Sequence, residues 1–161
     1  MATSATAAYP GSGAGSERVM AISRRIDFAE YSDKLTANSV IEAIQVKANT
    51  LVQAAGVRVV TVNGAAVTLD LGDGTSGNSD RYVDNVNGNS ATQASAYGRG
   101  GGTLGTYREG IGVYYSADDT IDITVASGTA STALVVDVWA IVVDLNFYET
   151  TESIEDSIAV A

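Results

Sequence analysis

The 161-residue chain contains no histidine and no cysteine, so any chemistry must come from carboxylates, Ser–Lys pairs or tyrosines. Without imidazole, the usual general base, a common metal ligand and the near-neutral pH switch are all missing. Without thiols there is no disulfide and no thiolate metal site. Asp70, Asp73, Asn78, Asp80 and Asp84 gather hard oxygen donors of the kind calcium prefers. Their spacing is not that of a helix–loop–helix calcium site, and the closing glutamate is absent. Turns of β proteins collect Asp, Asn and Gly for backbone reasons alone, so no metal ligand is assigned. Asp118 and Asp119 are adjacent, and neighbours on a strand point to opposite faces. A turn entering a strand at Thr120 accounts for them better than a catalytic pair. Gly100-Gly101-Gly102-Thr103-Leu104-Gly105 spells a dinucleotide fingerprint, but no strand precedes it and the residues after it read as strand rather than helix. No nucleophile, base and oxyanion hole can be assembled. The expectation is a protein that is not an enzyme, with no catalytic residue and no cofactor.

Charge narrows the partners. Residues 1–108 hold nine bases and nine acids, whereas the ten acids from Glu109 onward meet no base, which gives the net charge of −10. That half would repel a polyanion, so nucleic acid is not an expected partner. Met1–Ser16 lacks the basic start and apolar run of a secretory signal. No stretch approaches the roughly 20 apolar residues that cross a bilayer, so no membrane partner is expected either.

The elements that would position anything are mostly strands. Met20, Ile22, Ile26 and Phe28 share one parity, interrupted by Arg24. Val67, Leu69 and Leu71 alternate with polar residues; so do Ile121, Ile123 and Val125, while Ile111, Val113 and Tyr115 share a third such parity. A loop at Ser127–Thr132 then leads into the apolar run Ala133–Leu145, which reads as a hairpin. That last strand is apolar on both sides. Leu134, Val136, Val138 and Val142 point one way, and Val135, Trp139, Ile141 and Val143 the other. A strand of a small sandwich usually offers one face to water. The second face therefore needs a cover, either a loop of the same chain or another subunit. Residues 39–55 carry two readings. Ser39 and Glu42 match a capping box, with helical spacing through Ile41, Ile44, Ala48, Leu51 and Ala55. The alternative is strand, turn at Lys47–Thr50, and strand again to Val62. Periodicity alone favours the helix.

Residues 72–110 are long, irregular and rich in Gly, Asn, Ser and Asp, as functional or disordered loops are. Tyr97, Arg99, Tyr107 and Arg108 lie near the tip and are residue types favoured in binding surfaces. The reading is thus of one domain, 17–146, with a long loop at 72–110. It is flanked by an N-terminal arm, 1–16, and an acidic C-terminal tail, 147–161, neither with the means to fold alone.

Several stretches resemble the small virion proteins of tailed bacteriophages, of the capsid decoration (cement) or head-fibre type. They are VIEAIQV (40–46), KANTLVQAAGVRVVTV (47–62), VTLDLGDGT (67–75), SADDTIDITV (116–125) and VDVWAIVVDL (136–145). The resemblance implies an all-β, antiparallel, jelly-roll-like sandwich with extended terminal arms. It also implies strand–turn–strand at 40–62, a homo-oligomer (trimer or dimer), the major capsid protein as partner, and a place on the virion surface after synthesis in the host cytoplasm. Such proteins often carry a Pro-Ala-Gly-Thr-like turn where this chain has Lys47-Ala48-Asn49-Thr50. The interface residues expected are Val135, Trp139, Ile141 and Val143, with Tyr97, Arg99, Tyr107 and Arg108. A fibre or tail module that recognises a host glycan or receptor is the competing function.

Overall fold

The computed structural model describes residues 18–31, 35–74, 78–90, 95–98 and 112–145. Apart from one 3-10 turn at Phe28–Glu30, every regular element among them is a strand: β1 Arg18–Asp27, β2 Leu35–Thr36, β3 Val40–Val46, β4 Thr50–Thr61, β5 Val67–Gly72, β6 Val83–Asn87, β7 Ser95–Gly98, β8 Val113–Tyr115, β9 Asp119–Ala130 and β10 Val135–Asp144.

The strands form two antiparallel sheets. The first runs β1-β10-β4, with β7 and β8 sharing the far edge of β4; the second runs β9-β5-β6, with β2 and β3 sharing the other edge of β9. Strands consecutive in sequence mostly lie in opposite sheets, which is the jelly-roll arrangement of an antiparallel sandwich. Period-2 alternation builds the core from both inner faces: Leu69, Leu71, Ile121, Ile123 and Val125 on one side, Val57, Val136 and Val138 on the other, all fully buried.

Residues 39–55 form strand, turn and strand rather than a helix. Asn49 takes the left-handed turn position at φ 58° that a glycine would otherwise fill. Asp118 ties the turn down, accepting from the Ala48 N–H at 2.9 Å and from Lys47 Nζ at 2.8 Å. The register slips between Glu42 and Ile44, so Ala43 and Ile44 are both buried, which gives the apolar spacing its helical look.

Two expectations are corrected. The segment at 119–145 is no hairpin. β9 continues through Ser127–Thr129 to Ala130 and pairs in the second sheet, while β10 pairs in the first. The chain crosses between sheets because both strands have a core-facing row and fill the core from opposite sides. Asn63 staples that crossing: its amide donates to the Ala65 and Thr129 carbonyls, and its Oδ1 accepts from Ser131 N–H and Oγ. The long irregular segment 72–110 also holds β6 and β7, because Val83 and Val86 reach the core between polar turns.

One end of the sandwich is closed by aromatic hydroxyls. Tyr82, leading into β6, and Tyr115, on β8, join the two sheets through an O–H···O bond of 2.8 Å between buried side chains. Arg81 lies beside them, its charge felt by the Tyr115 hydroxyl and paired with Asp73. Burial pushes the Tyr115 hydroxyl up to about 12 and the Tyr82 hydroxyl higher still. Both stay protonated and able to donate.

Candidate functional site

The outer face of the first sheet is read from its register. Side chains of β10 that point away from the core meet cross-strand neighbours on β1 and β4 in successive rows. Asp137 lies between Arg25 and Arg58, and Trp139 between Ser23 and Gly56. Ile141 comes next, between Ala21 and Ala54, then Val143 between Val19 and Leu51, with Tyr114 beyond Leu51. The structure thus brings Val135, Trp139, Ile141 and Val143 onto one face, opposite to the buried Val136, Val138 and Val142. Val135, Trp139 and Ile141 are half-buried, whereas Val143, Leu51 and Ala54 are buried. Val19 is 61% exposed and Tyr114 53%, so the apolar rows run out to open edges.

The charged row is a shared ion pair. Asp137 Oδ1 accepts from Arg25 Nε at 2.8 Å, while Oδ2 accepts from Arg25 Nη2 at 3.1 Å and Arg58 Nη2 at 2.8 Å. The hydrogen bonds from Arg25, then those from Arg58, hold the Asp137 carboxyl below the usual carboxylate range. The next arginine has a different task. Arg24 shares the parity of Met20 and Ile22, yet its Nη1 reaches across to the Glu42 and Ala43 carbonyls at the slip in β3. It links the paired edges of the two sheets.

Sequence reasoning missed Arg25, Arg58, Ser23 and Gly56. The signal was Asp137, a carboxylate inside an otherwise apolar strand, which requires a base opposite it. Which of the arginines supplies that base depends on register. Tyr97 lies on β7, opposite Gly56. Arg99, Tyr107 and Arg108 lie outside the described residues, as do the arms 1–16 and 147–161.

The outer face of the second sheet is of another kind. Its rows place Glu42 and Gly72 beside Asp122, and Val40 and Asp70 beside Thr124. The segment after β5 folds back over Gly72, where a Cβ would lie 1.8 Å from the Asn78 carbonyl oxygen. Asp70, Asp73 and Asp122 are consequently buried, and burial pushes all three carboxyls up. The oxygens noted in the sequence are divided among separate partners. Asp70 accepts from the Asn85 N–H at 2.8 Å, Asp73 pairs with Arg81, and Asp84 accepts from the Asn85 amide. Among the described residues no three carboxylates group closely enough to hold a metal ion. Asp118 and Asp119 also separate, one bound to the β3–β4 turn and the other to its own strand at Thr120.

No protein-family model matches the chain, and no curated protein matches it. Among solved structures, it is similar to a chain in the cyanophage Pam1 capsid asymmetric unit, with a TM-score of 0.53 and 20% identity over 88% of this chain and 94% of that one. It is also similar to a chain in the capsid of Ralstonia phage GP4, with a TM-score of 0.55 and 17% identity over 84% and 89% of the two chains. At such identities the likeness is one of fold: this jelly roll is also the fold of a chain in each of two phage capsids.

Proposed function

We propose that the chain is a structural protein of a tailed-phage virion, a capsid decoration or cement protein that stabilises the head lattice as a homo-oligomer. The observation that carries this reading is the outer face of the first sheet, where alternation and register gather Val135, Trp139, Ile141 and Val143 into apolar rows beside the arginine row. The shared fold with two capsid chains agrees with it. Six residue steps along β10, from Asp137 to Val143, and three strand spacings make this face about 20 by 14 Å, or roughly 300 Å². One side of a standard interface buries about 800 Å². The face therefore works together with other contacts, and the segments 1–16 and 147–161 supply them. In this reading the face is buried between copies and residues 1–16 grip the lattice.

Whatever binds the assembled lattice and not its disrupted form stabilises it by linkage. Particles carrying the protein should resist heat better than particles lacking it, as read by calorimetry or genome release. Attachment should survive a few hundred millimolar salt, because burial of apolar area depends little on ionic strength while exposed ion pairs are screened. Deleting residues 1–16 should leave the sandwich folded and weaken attachment. Identical melting of decorated and bare particles would refute the lattice function and favour a receptor-binding module, which a glycan array would then test.

A further inference from the structure

We propose that Arg25 and Arg58 on this face receive a carboxylate from the acidic stretch after Leu145 of a neighbouring copy, with Trp139 packing against its apolar flank; this rests on the oligomer reading above. Two guanidinium groups bring ten N–H bonds, and three of them are spent on Asp137. Two positive charges meet one negative charge, so the cluster is net cationic on a chain whose total is −10. A planar guanidinium is suited to paired hydrogen bonds with a carboxylate, and here two stand in one row beside an indole.

The chain itself contains a complementary segment. Residues 146–161 carry Glu149, Glu152, Glu155 and Asp156 and no base, interspersed with Phe147, Tyr148 and Ile154. Direction points to a neighbour as its source. β10 runs from the arginine row toward Asp144, and the Leu145 N–H is tied to the Asn49 carbonyl at 2.8 Å. The chain therefore leaves at the opposite end of the face, eight residues and about 26 Å from Asp137, heading away from it. Its own tail would have to reverse to reach the arginines, whereas a neighbour's need not. Such a strap would also add the area that the face alone lacks.

The absence of cysteine makes the test direct. Ser23→Cys is placed in one chain and Thr150→Cys, Ser153→Cys or Ser157→Cys in another. The pairs are co-expressed and oxidised, and disulfides are read on non-reducing gels and by mass spectrometry. The proposal expects a two-chain product in at least one pairing. It also expects the yield to fall about tenfold or more when Arg25→Gln and Arg58→Gln are added, the loss expected for a charge-assisted hydrogen bond. A disulfide within one chain, formed at high dilution by a protein carrying both cysteines, would overturn it in favour of the chain's own tail. Absence of any cross-link in a protein that light scattering shows to be oligomeric would also overturn it while leaving the oligomer reading intact. A monomer in solution and on particles would remove both.

Discussion

The tyrosine pair that joins the two sheets makes an asymmetric prediction. The hydroxyls of Tyr82 and Tyr115 lie 2.8 Å apart, with Tyr82 fully buried and Tyr115 5% exposed. The Tyr115 hydroxyl also faces the Arg81 guanidinium, a donor it can accept from, whereas the Tyr82 hydroxyl has Tyr115 as its hydrogen-bond partner. Tyr82→Phe removes one hydrogen bond and leaves the Tyr115 hydroxyl satisfied, so it should cost about 1 kcal/mol. Tyr115→Phe strands the buried Tyr82 hydroxyl and takes an acceptor from Arg81, so about 2–3 kcal/mol is expected. In the double variant the stranded hydroxyl is gone. Its loss should stay near 2 kcal/mol, below the sum of the singles, with a coupling of about 1 kcal/mol or more. Urea melts of the four proteins measure all three values, and thermal melts should shift by about 3 °C for each kcal/mol. If Tyr82→Phe costs as much as Tyr115→Phe, or if the two losses add, the hydroxyl pair does not hold the sheets together in the way described.

Burial raises the carboxyls of Asp70, Asp73 and Asp122 above the ordinary 3.8, so their charged forms are penalised in the fold at neutral pH. Acidification from pH 8 toward pH 4 should therefore raise the melting temperature, and Asp122→Asn should flatten that rise; a melting temperature that falls over this range would contradict the assignment. Below about pH 4 the sign reverses, because Asp118 and Asp137 are held low by Lys47 and the arginines and lose those contacts on protonation. Trp139→Ala should cost about 1–2 kcal/mol in urea melts, less than the roughly 3–5 of a fully buried ring, while light scattering shows loss of the oligomer. Asn49→Ala should cost about 1–2 kcal/mol by strain at the left-handed position.

Strands whose two faces differ in polarity were legible in the sequence. Val67–Leu71 and Ile121–Val125 show it in the alternation of their residues, and the second apolar row of β10 was visible in the same way. Pairing was not legible. β9 and β10 are joined by a short polar loop that reads like a hairpin turn, and only the packing of two core-facing rows separates them into different sheets. The turn at Lys47–Thr50 was obscured because asparagine replaces the expected glycine, and because the slip at Ala43 and Ile44 imitates a helical period. The site was half legible for the same reason. Trp139, Ile141 and Val143 emerge from alternation along one strand, whereas Arg25 and Arg58 join them only through register across three strands.

The two outer faces of the sandwich differ in the charge they carry. On the second sheet, Asp122 and Asp70 lie under the segment that folds back across Gly72, while Val40 in the neighbouring row is 48% exposed. The first sheet carries the only tryptophan of the chain and a net cationic row on a molecule of charge −10. An apolar face on an acidic protein would usually be guarded by like charge, since mutual repulsion keeps copies apart. Here the guard is inverted: Arg25 and Arg58 flank the apolar rows with the one sign that an acidic copy of the same chain does not repel. In the oligomer proposed above, that polarity would let acidic copies approach one another through this face.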